Sequence, residues 1–93
     1  MKDNYGVELL PKEFIGTGSR KGFWFKQIKG NQYKYLYAVH GKFDIQYEVI
    51  KPQIGINPIS KTPFERYPSE KSLDILIWKF DVIEDAINFY KEL

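Results

Sequence analysis

An alternation of apolar and polar side chains from Phe43 to Val49, within the run FDIQYEVI at residues 43–50, constrains the fold more than any other feature. A period of two is that of a β-strand, because successive side chains point to opposite faces of a sheet. The run before it, at about Gln32–His40, repeats the pattern, and Gly41-Lys42 between the two runs is typical of a turn. The odd-numbered residues predict one apolar face on each strand: Tyr33, Tyr35, Tyr37 and Val39, then Phe43, Ile45, Tyr47 and Val49.

A third strand is predicted before these two. Gly30 and Asn31 separate the ring-rich runs at about Phe23–Lys29 and Gln32–His40, and both residues tolerate the positive φ angles of a tight hairpin turn. The three strands together predict an antiparallel meander with at least one aromatic face.

The C-terminal residues 75–93 predict a strand followed by a helix. Ile75–Phe80 is an apolar run suited to a fourth strand. Asp81 is placed to cap the helix that follows, and Glu84 completes a capping-box pattern. Apolar residues at three- and four-residue spacing predict the packing face of this helix: Val82, Ile83, Ala86, Ile87, Tyr90 and Leu93. We expect the helix to cover the face that carries the odd-numbered residues of the central predicted strand, at about Gln32–His40.

These elements predict a single α+β domain over residues 1–93, an antiparallel β-sheet of four to five strands (a meander) packed against one C-terminal α-helix. Residues 51–73 hold four prolines and no regular element, unless a short edge strand such as Gln53–Asn57 lies there. Pro11 predicts a short helical turn through Phe14 that ends at Gly16. Residues 16–22, GTGSRKG, predict a polar loop, because they fit neither the dinucleotide-binding nor the triphosphate-binding pattern.

The residue types needed for catalysis or metal binding are scarce. The chain has no cysteine and a single histidine, His40, so disulfides and thiolate metal sites are excluded and a zinc site is disfavoured. Glu84 and Asp85 are adjacent on the predicted helix and point about 100° apart, so they do not form a paired acid and base. Asp44 and Glu48 share a strand face, which we interpret as solvated. The sequence predicts a protein that is not an enzyme, with no cofactor and no metal.

Hydropathy predicts a cytoplasmic protein without a membrane partner. No apolar run approaches the length of about 18 residues that a membrane span requires, and no basic-then-apolar leader opens the chain.

Charge is distributed unevenly along the chain, although the net charge is only +2. Residues 20–61 carry eight basic and two acidic side chains, whereas residues 62–93 carry four basic and seven acidic ones. A molecule with one basic side is suited to an anionic partner.

Trp24 and the lysines around it predict a basic aromatic surface. If the tyrosines of the central strand form the core, Trp24, Lys26 and Lys34 share the opposite, open face of the sheet. The predicted partner-binding residues are Arg20, Lys21, Trp24, Lys26, Lys29 and Lys34. Exposed rings beside basic side chains fit an acidic protein surface, which we favour, or a nucleic acid that stacks its bases. A structural or assembly subunit, a homo-oligomer paired through an edge strand, is a third interpretation.

Two stretches resemble nucleic-acid-binding families. KGFWFKQI, residues 21–28, resembles the octamer of the RNA-recognition motif, but only twenty residues precede it, too few for that family's earlier strands and helix. WKFDVIEDAINFYKEL resembles the last strand and helix of ethylene-response-factor-type DNA-binding domains, which read the major groove with a three-stranded sheet. The arginine-rich first two strands of that family are missing here.

A longer stretch, residues 65–93, is similar to the ends of small phage and mobile-element accessory proteins of unassigned function. ERYPSEKSLDILIWKFDVIEDAINFYKEL combines a Tyr-Pro-Ser turn, a strand bearing a tryptophan and a capped helix. The resemblance implies stoichiometric binding to host or defence machinery, for example as an anti-CRISPR-like inhibitor.

Overall fold

The computed structural model describes residues 2–3, 5–31 and 33–93. These residues form seven strands and one α-helix: β1 Glu13–Ile15, β2 Trp24–Asn31, β3 Lys34–His40, β4 Ile45–Ile50, β5 Gln53–Ile56, β6 Pro63–Arg66, β7 Ile77–Phe80 and α1 Ile83–Glu92. Short 3-10 helices lie at Gly18–Arg20 and Glu70–Ser72. Five strands form one antiparallel sheet in the order β1-β2-β3-β4-β7, and β5 pairs with β6 in a second small sheet. The predicted α+β class, with an antiparallel sheet and one C-terminal helix, is confirmed.

The central hairpins follow the predicted alternation. Residues of β3 pair with β4 from Tyr35 opposite Ile50 to His40 opposite Ile45, without a shift of register. The first turn lies after Asn31, later than predicted, and the Asn31 side-chain oxygen accepts the backbone N–H of Tyr33 at 2.8 Å. The predicted position of Gln32 in β3 lies outside the described residues. The second turn closes where the Gly41 N–H donates to the Asp44 carbonyl at 2.9 Å.

One face of the sheet, which we call the tyrosine face, carries the larger core. Its buried side chains come from β2, β3, β4 and β7 together with one residue of the N-terminal segment: Leu10, Phe25, Tyr35, Tyr37, Val39, Ile50 and Ile77. Irregular segments of the chain, including Tyr67, cover this face, and Phe14 of β1 also packs against the core. Tyr33, expected in the core, is exposed in the turn.

The helix covers the other face, which we call the helix face. Leu36 and Val49 are fully buried there under Ala86, and Ile87, Phe89, Tyr90 and Leu93 pack around them. The prediction that α1 covers the tyrosines was wrong. A buried phenol needs a hydrogen-bond partner, and a helix satisfies its own backbone groups internally. The irregular segments supply such partners, since the Tyr37 hydroxyl donates to the Pro11 carbonyl at 2.5 Å.

The start of α1 also differs from the prediction. The N-cap residue is Val82, no side chain caps the helix there, and Asp81 is exposed. The capping-box interpretation was wrong because the helix begins one residue too late for Asp81 to reach the first free N–H groups. Glu84 and Asp85 instead lie in the first turn, where acidic side chains favour the positive end of the helix dipole.

Two segments have structure that the sequence did not predict correctly. Residues 13–15 form β1, which pairs with β2, instead of continuing a helical turn from Pro11. The proline-rich stretch contains the β5–β6 hairpin, of which only the edge strand β5 had been considered. No helix among the described residues is long and apolar enough to cross a membrane.

Candidate functional site: the Trp24 row

Four side chains from four adjacent strands form a line across one end of the helix face. The strand register places Ile15 of β1 opposite Trp24 of β2, and Trp24 opposite His40 of β3. His40 in turn lies opposite Ile45 of β4. Because directly opposed residues of neighbouring strands share a face, these four side chains are neighbours. We call them the Trp24 row.

The helix leaves the Trp24 row uncovered. α1 packs against β3, β4 and β7, and the Tyr90 carbonyl in its last turn accepts a hydrogen bond from Lys34, at the opposite end of β3 from His40. Ile15 and Ile45 are both exposed, and Trp24 keeps 38% of its surface exposed. Phe43, in the neighbouring turn, is also exposed. The result is an apolar strip with no cover from the described part of the chain.

The two rings of the row stack on each other. The centroids of Trp24 and His40 lie 4.7 Å apart, with 29° between the ring planes. The Lys26 ammonium lies over the Trp24 ring at 5.7 Å from its centroid, and the Lys42 ammonium lies 5.4 Å from that of Phe43. Both distances fall within the reach of cation–π attraction. The rings are therefore held in place before any partner arrives.

The charged residues around the row are of both signs. Lys26 lies over the Trp24 ring and Lys42 over the neighbouring Phe43 ring. Lys21 is exposed in the turn that leads into β2. Glu13, which pairs with Lys26 across β1 and β2, is exposed, as is Asp44 beside Ile45. An apolar centre with a charged rim is the usual anatomy of a protein-binding surface.

The structure brings together only some of the predicted partner-binding residues. Trp24 and Lys26 are adjacent on the helix face, and Lys21 is close to them in sequence. A register shift between Gln27 and Lys29 places Lys29 opposite Leu36, farther along the sheet and exposed.

Arg20 lies on the other side of the sheet, within an ionic network that joins the buried Glu48 to the exposed Glu70. Its Nη1 and Nη2 donate to the two carboxylate oxygens of Glu48 at 2.8 and 2.6 Å, and its Nε donates to Glu70 at 2.6 Å. The Tyr67 hydroxyl donates to Glu48 at 2.8 Å, and Lys79 lies 3.6 Å from Glu70. Glu48 is only 1% exposed, so the interpretation of a solvated carboxylate was wrong. The alternation pattern could not reveal a buried partner 28 residues away.

The network shifts the pKa values of its members in the directions that its contacts require. Burial alone would lower the pKa of the Arg20 guanidinium, but the hydrogen bonds that it donates to Glu48 and Glu70 raise this pKa above its ordinary value. The hydrogen bond from Arg20 lowers the pKa of the Glu70 carboxyl. Burial, with the nearby Glu48 charge, raises the pKa of the Tyr67 phenol. Each of these pKa shifts favours the protonation state that the contacts require. The contacts of Arg20 with Glu48 and Glu70 assign it a structural role.

Lys34 is also engaged within the fold. Its ammonium donates to the Tyr90 carbonyl at 2.7 Å and lies 4.6 Å from the centroid of the Tyr90 ring. A cation at a helix C-terminus satisfies a free carbonyl and favours the negative end of the helix dipole. These contacts of Lys34 therefore hold the last turn of α1 against the start of β3.

Sequence reasoning missed Ile15, His40 and Ile45 as members of the surface. Alternation had already placed Ile45 on one face of β4, but that face was assigned to the core. The missing information was which part of the face the helix covers, and no local pattern encodes it.

Among the described residues, no group of three histidine, aspartate or glutamate side chains is arranged to hold a metal ion. No protein-family model matches the sequence, and neither a curated protein nor a solved structure matches the chain. The geometry of the Trp24 row is thus the main guide to function.

Proposed function

We propose that this chain is a small, non-enzymatic binding protein of phage or mobile-element type. It acts in the cytoplasm by attaching stoichiometrically to an acidic surface of another protein, as an inhibitor of host defence would. The observation that carries the proposal is the Trp24 row, an exposed apolar line across four strands with lysines at its rim.

The composition of the row supports a protein partner. Tryptophan is enriched among the residues that dominate binding energy, and such residues lie centrally in a ring of less important contacts. Trp24 is central in the row, flanked by Ile15 on one side and by His40 and Ile45 on the other. The stack on His40 lowers the entropy that the tryptophan side chain would lose on binding. Lys21, Lys26 and Lys42 would speed the encounter with an acidic patch.

Nucleic-acid binding is the alternative that the same surface allows, and two observations weigh against it. Base stacking needs an open ring face, whereas His40 stacks on Trp24 and Lys26 lies over its ring. Arg20 and Lys34, two of the cations expected to neutralise phosphates, are engaged in contacts within the fold.

The deciding experiment isolates the partner and then measures affinity with matched variants. The full chain is used to capture its partner from host extract, and the purified pair is studied by calorimetry. Trp24→Ala is expected to lose about 2 kcal/mol or more, roughly a thirtyfold loss of affinity. Lys26→Glu should mainly slow association. Tyr5→Ala is the control, since Tyr5 is also an exposed ring but lies outside the row.

A partner that binds wild type and Trp24→Ala equally would contradict the proposal. The nucleic-acid alternative is tested with oligonucleotides at about 50 and 200 mM salt. Three phosphate contacts to a single strand predict that the logarithm of affinity falls with a slope of about −2 against the logarithm of salt. We expect only weak, non-specific association. Binding that stays tight at the higher salt and is abolished by Lys26→Glu combined with Lys29→Glu would establish the alternative.

A further inference from the structure

Within residues 2–3, 5–31 and 33–93, no strand pairs with β5 on the side away from β6. β6 uses its own far side to bond the N-terminal segment, since the Glu65 N–H donates to the Glu8 carbonyl at 2.7 Å and the Glu8 N–H donates to the Pro63 carbonyl at 3.1 Å. Glu65 and Pro63 lie opposite Ile54 and Ile56. In an antiparallel pair, the backbone N–H and C=O groups of two opposed residues either all point toward the partner strand or all point away from it. The groups of Glu65 and Pro63 that bond Glu8 point away from β5, so the N–H and C=O groups of Ile54 and Ile56 point away from β6.

This edge lacks the usual protection against pairing with another strand. Residues 52–60, PQIGINPIS, contain no charged side chain, whereas charged residues are a common means of protecting an edge. The two edge strands of the larger sheet do carry charges, Glu13 in β1 and Lys79 in β7. Ile54 and Ile56 are 57% and 59% exposed.

From these observations we infer that β5 pairs antiparallel with β5 of a second copy of this chain. A two-fold axis at Gly55 places Ile54 opposite Ile56 of the other copy. Because the sequence Ile54-Gly55-Ile56 is a palindrome, each pair then consists of two isoleucines. The outward N–H and C=O groups of these two residues then form a hydrogen-bonded pair, and symmetry repeats it, for about four new hydrogen bonds. The four isoleucine side chains lie together on one face of the new ladder.

Neighbouring residues fit the same arrangement. Pro52 directly precedes β5 and Pro58 lies in the turn that follows it, and proline has no N–H to donate. They end the ladder after Ile54 and Ile56, so the contact closes as a dimer and does not extend. A groove of about 570 Å³ lies beside β5, lined by Ile54, Pro52, Tyr5 and Tyr33 among others. In the proposed dimer, the turn of the second copy that contains Ile59 lies beside the Pro52 end of β5.

The pairing leaves the Trp24 row free, because the row belongs to the other sheet. The proposal therefore does not rest on the proposed function. A ladder of two residue pairs is short, so we expect a weak, concentration-dependent dimer rather than an obligate one.

Disulfide trapping tests the register directly, because the chain has no cysteine of its own. Ile54→Cys and Ile56→Cys are made separately, and both side chains are exposed enough to tolerate the change. In the proposed register, position 54 of one copy meets position 56 of the other at a Cα distance of about 5.5 Å, within the range of a disulfide. The two copies of position 54 would lie roughly 8–9 Å apart, which is too far.

We expect mild oxidation of an equimolar mixture of the two variants to give a covalent dimer, and either variant alone to give several-fold less. The absence of covalent dimer from the mixture, or equal amounts in all three samples, would overturn the proposal.

Sedimentation of the unmodified chain over a wide concentration range provides the second measurement. The wild type should shift from monomer to dimer. Ile54→Pro, which removes two symmetry-related donors, should weaken the dimer about tenfold or more. Ile28→Lys, in strand β2 of the other sheet, should leave it unchanged. A monomer at every concentration, or a dimer insensitive to Ile54→Pro, would refute pairing through β5.

Discussion

The two faces of the central sheet are covered in different ways. On the tyrosine face, hydroxyls and charges are buried together with their partners: Tyr37 with Pro11, Tyr35 with Glu65, and Arg20 with Glu48. Within the described residues, no buried side-chain nitrogen or oxygen lacks a hydrogen-bond partner. The helix face is held mainly by apolar contacts between α1 and the strands.

Directional contacts and apolar contacts have different consequences. Hydrogen bonds and ion pairs hold each covering segment at one position, because a misplaced segment would leave buried polar atoms unsatisfied. Apolar burial is non-directional and scales with the area removed from water. The helix can therefore cover part of its face and leave the Trp24 row open without stranding any polar group. We expect the tyrosine face to give the fold its uniqueness and the helix face to provide the binding surface.

The largest expected effect comes from breaking the ionic network on the tyrosine face. Arg20→Ala leaves the buried Glu48 carboxylate without its bidentate partner, and we expect a loss of about 3–5 kcal/mol in the free energy of unfolding. Urea denaturation measures it. Lys21→Ala, at the exposed neighbouring position, should change stability by less than about 0.5 kcal/mol. Equal effects at both positions would mean that the network does not hold the fold.

The helix face should respond strongly only where α1 covers it. Leu36→Ala removes a fully buried side chain, and we expect a loss of about 2–5 kcal/mol in the same denaturation experiment. Ile45→Ala, on the same face but in the Trp24 row, should cost less than about 1 kcal/mol, since its side chain is exposed. A large loss of stability from Ile45→Ala would show that the row is packed in solution and unavailable to a partner.

A polar contact of the tyrosine face can be removed at almost constant volume. Tyr37→Phe leaves the Pro11 carbonyl without its donor, and we expect urea denaturation to show a loss of about 1–3 kcal/mol.

Alkaline pH tests the same contact. Burial raises the pKa of Tyr37 to about 12 from its ordinary value of 10. Above pH 10 the unfolded chain therefore releases this proton before the folded chain does, and stability falls as pH rises from 10 to about 12. Melts over this range should show a shallower decline for Tyr37→Phe than for wild type. Parallel declines would exclude Tyr37 as a contributor.

The smallest effects are expected at the two ends of α1. Lys34→Met removes the donor to the Tyr90 carbonyl, and we expect a loss of about 0.3–1 kcal/mol that diminishes at high salt. Asp81→Ala should change stability by less than about 0.5 kcal/mol, because Asp81 makes no capping bond. A loss of about 1 kcal/mol or more from Asp81→Ala would indicate that the helix starts earlier in solution.

Local pattern was enough to determine the main elements of this protein. The alternation in β3 and β4, the glycine at the turn between them and the helical spacing from Ile83 to Leu93 each involve residues close in sequence, so they predicted an antiparallel sheet with a C-terminal helix. They also placed Trp24 and Lys26 on one face of β2.

The tertiary structure alone decided which face each segment covers and which charges are buried. Glu48 and Asp44 are alternating polar residues of one run, yet Glu48 is buried because Arg20, Tyr67 and the sheet enclose it. Alternation assigns a residue to one of two faces but does not say which face meets water. That choice depends on hydrogen-bond partners contributed by segments far apart in sequence, such as Pro11 and Glu65. The exposure of the Trp24 row is decided in the same way, because it depends on which part of the sheet the ten-residue helix α1 covers.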